Sequence, residues 1–384
     1  MTENFHTARS DWGRIKHIIL QRYIRLYVGK LGFSNPVIYY VDGFAGQGLY
    51  GDKEVGSAYI GAESAASPIQ GSRKDVLRCI NVEEDPKVFA ELEKNLAAHK
   101  ATGLVSNLPG TFQSNLPGIL TTVGAVPSFF FIDPFGSQGI EAETLKTIRK
   151  GRDSSEILVR YDDTRVKRLL AWAVNNADHI SDGHRKSALK FAQRVSQLTD
   201  EEAIAELNKL GGDKDATREA LIQGYIQQVK STAGFKYALR YPIRNPRTDG
   251  HKYYLVHFCN HPDGYHYMAH FMAQAERAYE ADRRKQTEDM FATATQEVMP
   301  GILDGADQCV EDVRVNELAA VLPEILKPLK GRTNLKMRWV YAAIVDKFEW
   351  RLTRKEWLKA LAKAKAAGAI SYANSDDGSV ATIP

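Results

Sequence analysis

The sequence predicts an α/β protein: a mainly parallel sheet covered by helices on both faces, closed by an antiparallel hairpin and followed by a smaller C-terminal domain. Three observations predict it. Short apolar runs that end in acids alternate with helical periods. Two later apolar runs flank Asp249-Gly250, a turn signal. The end of the chain gives three helical periods and then a short paired run around Asp376-Asp377-Gly378, which is winged-helix order.

Residues 9–31 read as a helix because Ile15, Ile18, Ile19, Tyr23, Leu26 and Tyr27 recur at steps of three and four, and Asn35-Pro36 breaks the period. Residues 37–42 (VIYYVD) read as a buried strand entering a glycine loop. Residues 77–85 (LRCINVEED) read as a second strand, with Pro86 placed for the first turn of the helix that follows. FFFID and ILVRY are two further strands. Residues 163–232 carry polar helical periods, broken at Asp182-Gly183 and Gly211-Gly212, and read as a helical insertion over one edge of the sheet. KYALRYPIRN and HKYYLVHFCN then form the hairpin, and residues 268–292 a helix. The expected domains are an α/β domain over 1–162 and 233–295, the insertion 163–232, and a winged-helix-like domain over 296–384.

The composition excludes several classes. With 43% hydrophobic residues among 384, the chain can bury a core and is not a disordered protein. No apolar run is long enough to span a bilayer, and the start has no signal-peptide core, so a cytoplasmic location and no membrane partner are expected. Cys79, Cys259 and Cys309 are far apart, so neither a disulfide framework nor a cysteine zinc site is expected. Five histidines fall between 251 and 270, but without zinc-motif spacing, and no metal is expected. There is no Walker A loop and no G-x-S-x-G elbow.

The chemistry concentrates at strand ends. Asp42-Gly43-Phe44-Ala45-Gly46-Gln47-Gly48 follows the first strand, where glycines let backbone turn sharply and approach a ligand. Gly46, Gly48 and Gly51 spell the dinucleotide fingerprint, yet GDKEVGSA after Gly48 is not a helix start. An acid before a glycine loop suits S-adenosylmethionine better: Asp42 near its cationic end or the water around it, and the loop from Gly43 through Phe44, Ala45 and Gly46 to Gly48 beneath the adenosine. Glu83 at the end of the second strand would accept the ribose hydroxyls, with Glu84 as the alternative; these acids also suit a helix N-terminus. Asp133-Pro134-Phe135-Gly136 ends the strand FFFID. There Asp133 and the Pro134 carbonyl could hold an exocyclic amine while Phe135 stacks on the base; an aspartate capping the next helix is the plainer reading.

Residues 331–366 hold ten Lys or Arg against three Asp or Glu, among Trp339, Tyr341, Trp350 and Trp357. Arg354, Lys355, Lys359 and Lys363 fall mostly on one helical face and are expected to touch the phosphates of RNA or DNA, with Trp357, Leu358 and Leu361 turned to the core. The same cations also suit a solvated face or a protein-docking module.

The stretches DWGRIKHIILQRYIRLYVGKLG, YYVDGFAGQG, INVEED, FFFIDPFG and YYLVHFCNHPDGYHYM resemble the three-Cys-motif partner family. That resemblance implies a Rossmann-like class I methyltransferase sheet, S-adenosylmethionine as cofactor, and a three-Cys-motif protein encoded nearby as partner. The chain is more distantly similar to bacterial ribosomal RNA adenine-N6 methyltransferases, which implies a cofactor or substrate contact from Lys16, with His17 beside it. Lys16 fits the exposed face of an amphipathic helix equally well. The implied activity is methyl transfer to a nucleobase amine, adenine N6 first. The alternative is a non-catalytic adapter that binds nucleic acid and the partner, since only one proline stands in Asp133-Pro134-Phe135-Gly136.

Overall fold

The computed structural model describes residues 11–51, 54–134, 138–163, 214–245, 248–294, 304–332 and 334–384, with a few isolated positions besides. The chain divides into two units, residues 1–245 with 250–260, and residues 246–249 with 261–384.

In the first unit β1 (Ile38–Asp42), β2 (Leu77–Glu83), β3 (Val105–Pro109), β4 (Ser128–Ile132), β5 (Ser155–Tyr161), β6 (Tyr237–Arg244) and β7 (His251–Cys259) form one sheet. Its order is β3-β2-β1-β4-β5-β7-β6. The first five strands are parallel, and β7 runs antiparallel to both β5 and β6. This is the Rossmann-like class I methyltransferase sheet. The strand order reverses between β1 and β4, which opens a crevice at their carboxyl ends.

Its helices are α1 (Asp11–Leu31), α2 (Ser57–Ala66), α3 (Pro86–Asn95), α4 (Ala97–Lys100), α5 (Phe112–Val123), α6 (Ala142–Arg149) and α7 (Lys214–Ala233). Parallel strands are covered on both faces, so β4 is buried along its whole length. Its side chains alternate. Phe129 packs beneath Tyr23 and Tyr27 of α1, with ring centroids 5.2 and 5.9 Å away. Phe130 and Ile132 join the opposite core with Leu116 of α5, Leu145 of α6 and Leu221 of α7.

One strand was not read from the sequence, and one expectation is corrected. The strand β3 carries no apolar signal, because as an edge strand it buries Val105 and leaves the other four residues partly or fully exposed. Residues 214–233, expected in an insertion over the sheet edge, instead cover a sheet face. Tyr225 stacks on Tyr161 at 4.5 Å and its hydroxyl donates to the Ile140 carbonyl at 2.7 Å. Most of 164–213 lies outside the described residues, the predicted break at Gly211-Gly212 among them; of the break predicted at Asp182-Gly183, Gly183 is described and is helical.

The second unit contains α8 (Pro262–Ala294), α9 (Asp304–Leu326), α10 (Met337–Phe348) and α11 (Arg354–Ala366). The short strands β8 (Ser371–Tyr372) and β9 (Ala381–Thr382) pair antiparallel, and Lys336 bridges Val380. The helix predicted over 268–292 was expected in the α/β domain. It begins earlier, at Pro262, and groups here because Tyr267 donates to Asp377 and His266 lies against Tyr341 and Trp357. A reciprocal capping box between Thr353 and Glu356 starts α11. Among the described residues no helix is long and apolar enough to cross a membrane.

One buried polar contact ties the first unit together. The Tyr23 hydroxyl donates to Glu156 Oε2, and His257 Nε2 lies 2.8 Å from the same oxygen, so α1, β5 and β7 meet at one carboxylate. Tyr23→Phe should lower the unfolding free energy by about 1–3 kcal/mol in a urea titration, with unchanged far-UV circular dichroism. An unchanged midpoint would show that the hydroxyl does not contribute.

Candidate cofactor and active site

The glycine loop is laid over the carboxyl ends of β1, β4 and β2. Gly43 N–H donates to the Phe131 carbonyl at 3.0 Å, and Ala45 N–H to the Val82 carbonyl at 2.9 Å. Gly46 and Gly48 take φ of +61° and +77°, a region that disfavours a Cβ. A Cβ on Gly46 would meet nothing nearer than Tyr50 Oη at 3.9 Å, so bare backbone faces open space there. A Cβ on Gly48 would lie 3.2 Å from Leu92, which packs the loop onto α3. Phe44 is half-buried, its ring 5.9 Å from Phe112. The chain then forms a Leu49–Val55 bridge before α2 begins at Ser57. No helix opens at Gly51, so the dinucleotide fingerprint is spelled but not built.

Glu83 is the acid that meets the loop. Its Oε2 accepts the Gly46 N–H and its Oε1 the Asp85 N–H, each at 2.9 Å. Partial burial pushes its pKa up, and these two hydrogen bonds pull it part of the way back. Glu84 is exposed, and Asp85 caps α3 by accepting from Lys87 and Val88. The helix-terminus role therefore falls to Asp85, and Glu83 is the acid that holds the glycine loop.

Asp42 is fully buried at the end of β1. It accepts the Phe44 N–H at 3.1 Å and the Tyr40 hydroxyl at 3.3 Å. Burial is the main cause that pushes its pKa up to about 6; hydrogen bonds from Ser57 and Phe44 oppose the rise, and the Asp133 charge adds to it.

Asp133 ends β4 on the other side of the crevice. Lys16 of α1 donates to its Oδ2, and Arg160 of β5 has a guanidinium nitrogen 3.6 Å from Oδ1. Burial opposes ionisation here as well, but Lys16 and then Arg160 outweigh it and hold the carboxyl below the usual range. Oδ1 makes no hydrogen bond. Arg160 is itself placed by Asp162 at 3.6 Å and by the Tyr253 ring, 4.4 Å beneath it.

The structure brings Asp42, Gly46, Gly48, Glu83 and Asp133 to the carboxyl ends of β1, β2 and β4. Lys16 is not on a solvated face: its ammonium is largely buried against Asp133 and 5.6 Å from the Phe131 ring centroid. Pro134 is buried next to Asp133, while Phe135 lies outside the described residues. Arg160 was missed. Its signal was present, an arginine interrupting the apolar run ILVRY at the same sheet end as the acids.

The four cations assigned to nucleic acid are engaged inside the second unit. Arg354 pairs with Asp377 at 3.0 Å and covers the Tyr341 ring at 4.5 Å. Lys355 and Lys359 both reach Glu311, and Lys363 donates to Asn316 Oδ1 at 2.6 Å. This face of α11 packs its charge onto α9, which the sequence could not show because Glu311 and Asn316 lie in another helix. Trp357 and Leu361 are buried as expected, and Leu358 is half-buried.

No family model and no curated protein matches the chain. Solved structures do match. Protein LPL1258 of Legionella pneumophila aligns at 14% identity over 66% of this chain and 86% of its own, with a TM-score of 0.38. The O-methyltransferase TomG of Streptomyces achromogenes, solved with SAM, aligns at 15% identity over 64% and 79%, with a TM-score of 0.34. An O-methyltransferase of Bacillus cereus, solved with SAH, aligns at 12% identity over 67% and 94%, with a TM-score of 0.33. The functional reading rests on the strand order and the site residues themselves.

The raised pKa of Asp42 has a thermodynamic consequence. The folded protein holds this proton more tightly than the unfolded chain, so stability falls as pH rises from about 4 to about 6. Asp42→Asn should remove that slope and stabilise the protein at pH 7 by about 2–3 kcal/mol. Denaturant titrations of both proteins across this pH range measure it, and parallel pH profiles would refute the assignment.

Proposed function

We propose that the protein is an S-adenosylmethionine-dependent methyltransferase acting on a nucleobase amine, adenine N6 first, in RNA or DNA. The observation that carries this reading is the convergence at the switch point: Asp42 on β1 and Asp133 on β4 flank it, with the open backbone of Gly46 and the Glu83 carboxylate beside it. The donor set fits the cofactor. An acid that remains ionised above pH 6 suits a cationic amino acid end, bare glycine backbone suits a flat adenosine, and Glu83 suits a ribose diol.

When bound, the cofactor supplies an electrophilic sulfonium methyl. The protein's part is positioning. Asp133 stays anionic because of Lys16 and Arg160, so it acts as acceptor for the amine N–H through Oδ1 and not as a proton donor. Pro134 fixes the turn and offers its carbonyl as a second acceptor. Phe135 takes the stacking role. Held at Asp133, the amine nitrogen would take the methyl in exchange for the cofactor's carbon–sulfur bond, and its surplus proton would leave to solvent. A duplex substrate would need its base flipped out.

One observation favours the adapter as a second reading: the Asp133 carboxylate is already shared with two cations. The surface for nucleic acid in either case moves off α11 to Arg332, Lys336 and the exposed Trp339 at the start of α10, where charge and an aromatic ring face solvent together.

Calorimetry should show saturable binding of S-adenosylmethionine and none of NAD. Affinity should fall as pH drops through about 6, because protonating Asp42 removes the charge that meets the cofactor's cation. Gly46→Val should abolish binding while the protein stays folded. Saturable NAD binding without a response to S-adenosylmethionine would overturn the cofactor assignment.

Tritiated cofactor incubated with total tRNA, ribosomal RNA and genomic DNA should label one nucleoside. Asp133→Ala should reduce the rate at least 100-fold, about 3 kcal/mol in barrier. Label unchanged in that variant would remove Asp133 from the reaction. A stable nucleic-acid complex that never acquires label, even with a three-Cys-motif protein supplied, would establish the adapter.

A further inference from the structure

The second unit buries a group of donor atoms that the methyl-transfer reading does not use. Asp263 and His266 stand one turn apart at the start of α8, and Asp377 comes from the turn between β8 and β9. His266 Nε2 lies 3.6 Å from Asp263 Oδ1 and 3.5 Å from Asp377 Oδ1, and all three atoms lie within 4.8 Å of one another. His266 is fully buried, yet neither of its ring nitrogens has a hydrogen-bond partner, and Asp263 Oδ1 has none. An imidazole sealed from water with both nitrogens unspent is costly unless something accepts its lone pair.

We propose that Asp263, His266 and Asp377 form a divalent-cation site, with zinc as the ion its donor set suits. A cation about 2.1 Å from His266 Nε2 and from a carboxylate oxygen 3.5 or 3.6 Å away would see those two donors at roughly 115°, an angle a zinc site accepts. Mixed nitrogen and oxygen donors suit zinc better than the all-oxygen preference of magnesium or calcium. Tyr267 donates to Asp377 Oδ2 at 2.8 Å and so orients that carboxylate, as outer partners of metal ligands do. No local zinc-motif spacing marks these donors, because the third comes from the far end of the chain.

Two arginines compete for the same oxygens. Arg354 lies 3.0 Å from Asp377 Oδ1, and Arg338 Nε lies 3.5 Å from Asp263 Oδ1. A carboxylate oxygen has two lone pairs, so an arginine and a cation can share it. The guanidinium charge still weakens the ion's hold, and this gives the site a signature that a plain ion-pair cluster lacks.

The test uses the full, tag-free chain, titrated with zinc chloride by calorimetry and with cobalt(II) by visible absorption. Wild type should take one equivalent of zinc, and cobalt should give the intense visible bands of a four-coordinate site. His266→Ala and Asp377→Asn should each weaken zinc binding at least 10-fold. Arg338→Gln, which removes a competing charge and no ligand, should strengthen it several-fold. Asp263→Asn keeps the side-chain shape; with near-UV circular dichroism like that of wild type, it separates loss of the ligand from loss of the fold. No stoichiometric zinc in wild type, wild-type affinity in His266→Ala, or weaker binding in Arg338→Gln would each overturn the proposal.

Discussion

The ion cluster of Lys16, Asp133 and Arg160 is the constraint on which the candidate active site depends. It brings three separate elements to one point: the N-terminal helix, the end of β4 and the end of β5. Each side chain is more than three-quarters buried, so each charge would be expensive alone. Together they satisfy one another and leave Asp133 Oδ1 short of a hydrogen bond. The helix ahead of the sheet is thus more than a cover for Phe129. Through Lys16 it sets the protonation state of the residue on which the proposed chemistry turns.

Much of the first unit was legible in the sequence because burial on both faces leaves a strong mark. FFFID, ILVRY and VIYYVD could hardly be anything but interior strands, and acids at their ends marked the carboxyl edge. The loop from Gly43 to Gly48 was legible because positive φ selects glycine. What escaped did so for physical reasons. The edge strand β3 buries Val105 and little else, so VSNLP looks like a loop. Residues 214–233 look polar because their buried stripe, Leu221, Ile222, Tyr225, Ile226 and Val229, lies on one side of a helix whose remainder is charged or polar. Arg160 was passed over because a lone arginine at a strand end is as readily a snorkelling side chain as a site residue.

The C-terminal unit shows where one-dimensional charge reading fails. A helix carrying Arg354, Lys355, Lys359 and Lys363 looks like a grip for phosphate, because the sequence around it supplies few acids. The acids and amides arrive from elsewhere: Glu311 and Asn316 from α9, Asp377 from the hairpin turn. Arg354 is the extreme case, stacked between Tyr341 and Tyr267 and paired with a buried aspartate. A guanidinium so placed organises the unit's interior. The same folding-back brings Asp377 to His266, which no local motif could have announced.

The two aspartates that flank the switch point divide their tasks by environment. Both are carboxyls at adjacent strand ends, and both would be pushed up by burial alone. Asp133 has Lys16 and Arg160 against it, which outweigh burial and hold it ionised. Among the described residues Asp42 has hydrogen bonds and only the more distant charge of Lys16 against it, so burial wins and its pKa rises to about 6. Titratable groups forced apart in this way mark separate roles. A carboxylate that stays charged at any working pH serves as a fixed acceptor for an amine. A buried carboxylate that ionises only above pH 6 carries a free-energy cost until a cation arrives to meet it, which in the proposed reaction suits Asp42 to the cofactor's charge and Asp133 to the acceptor base.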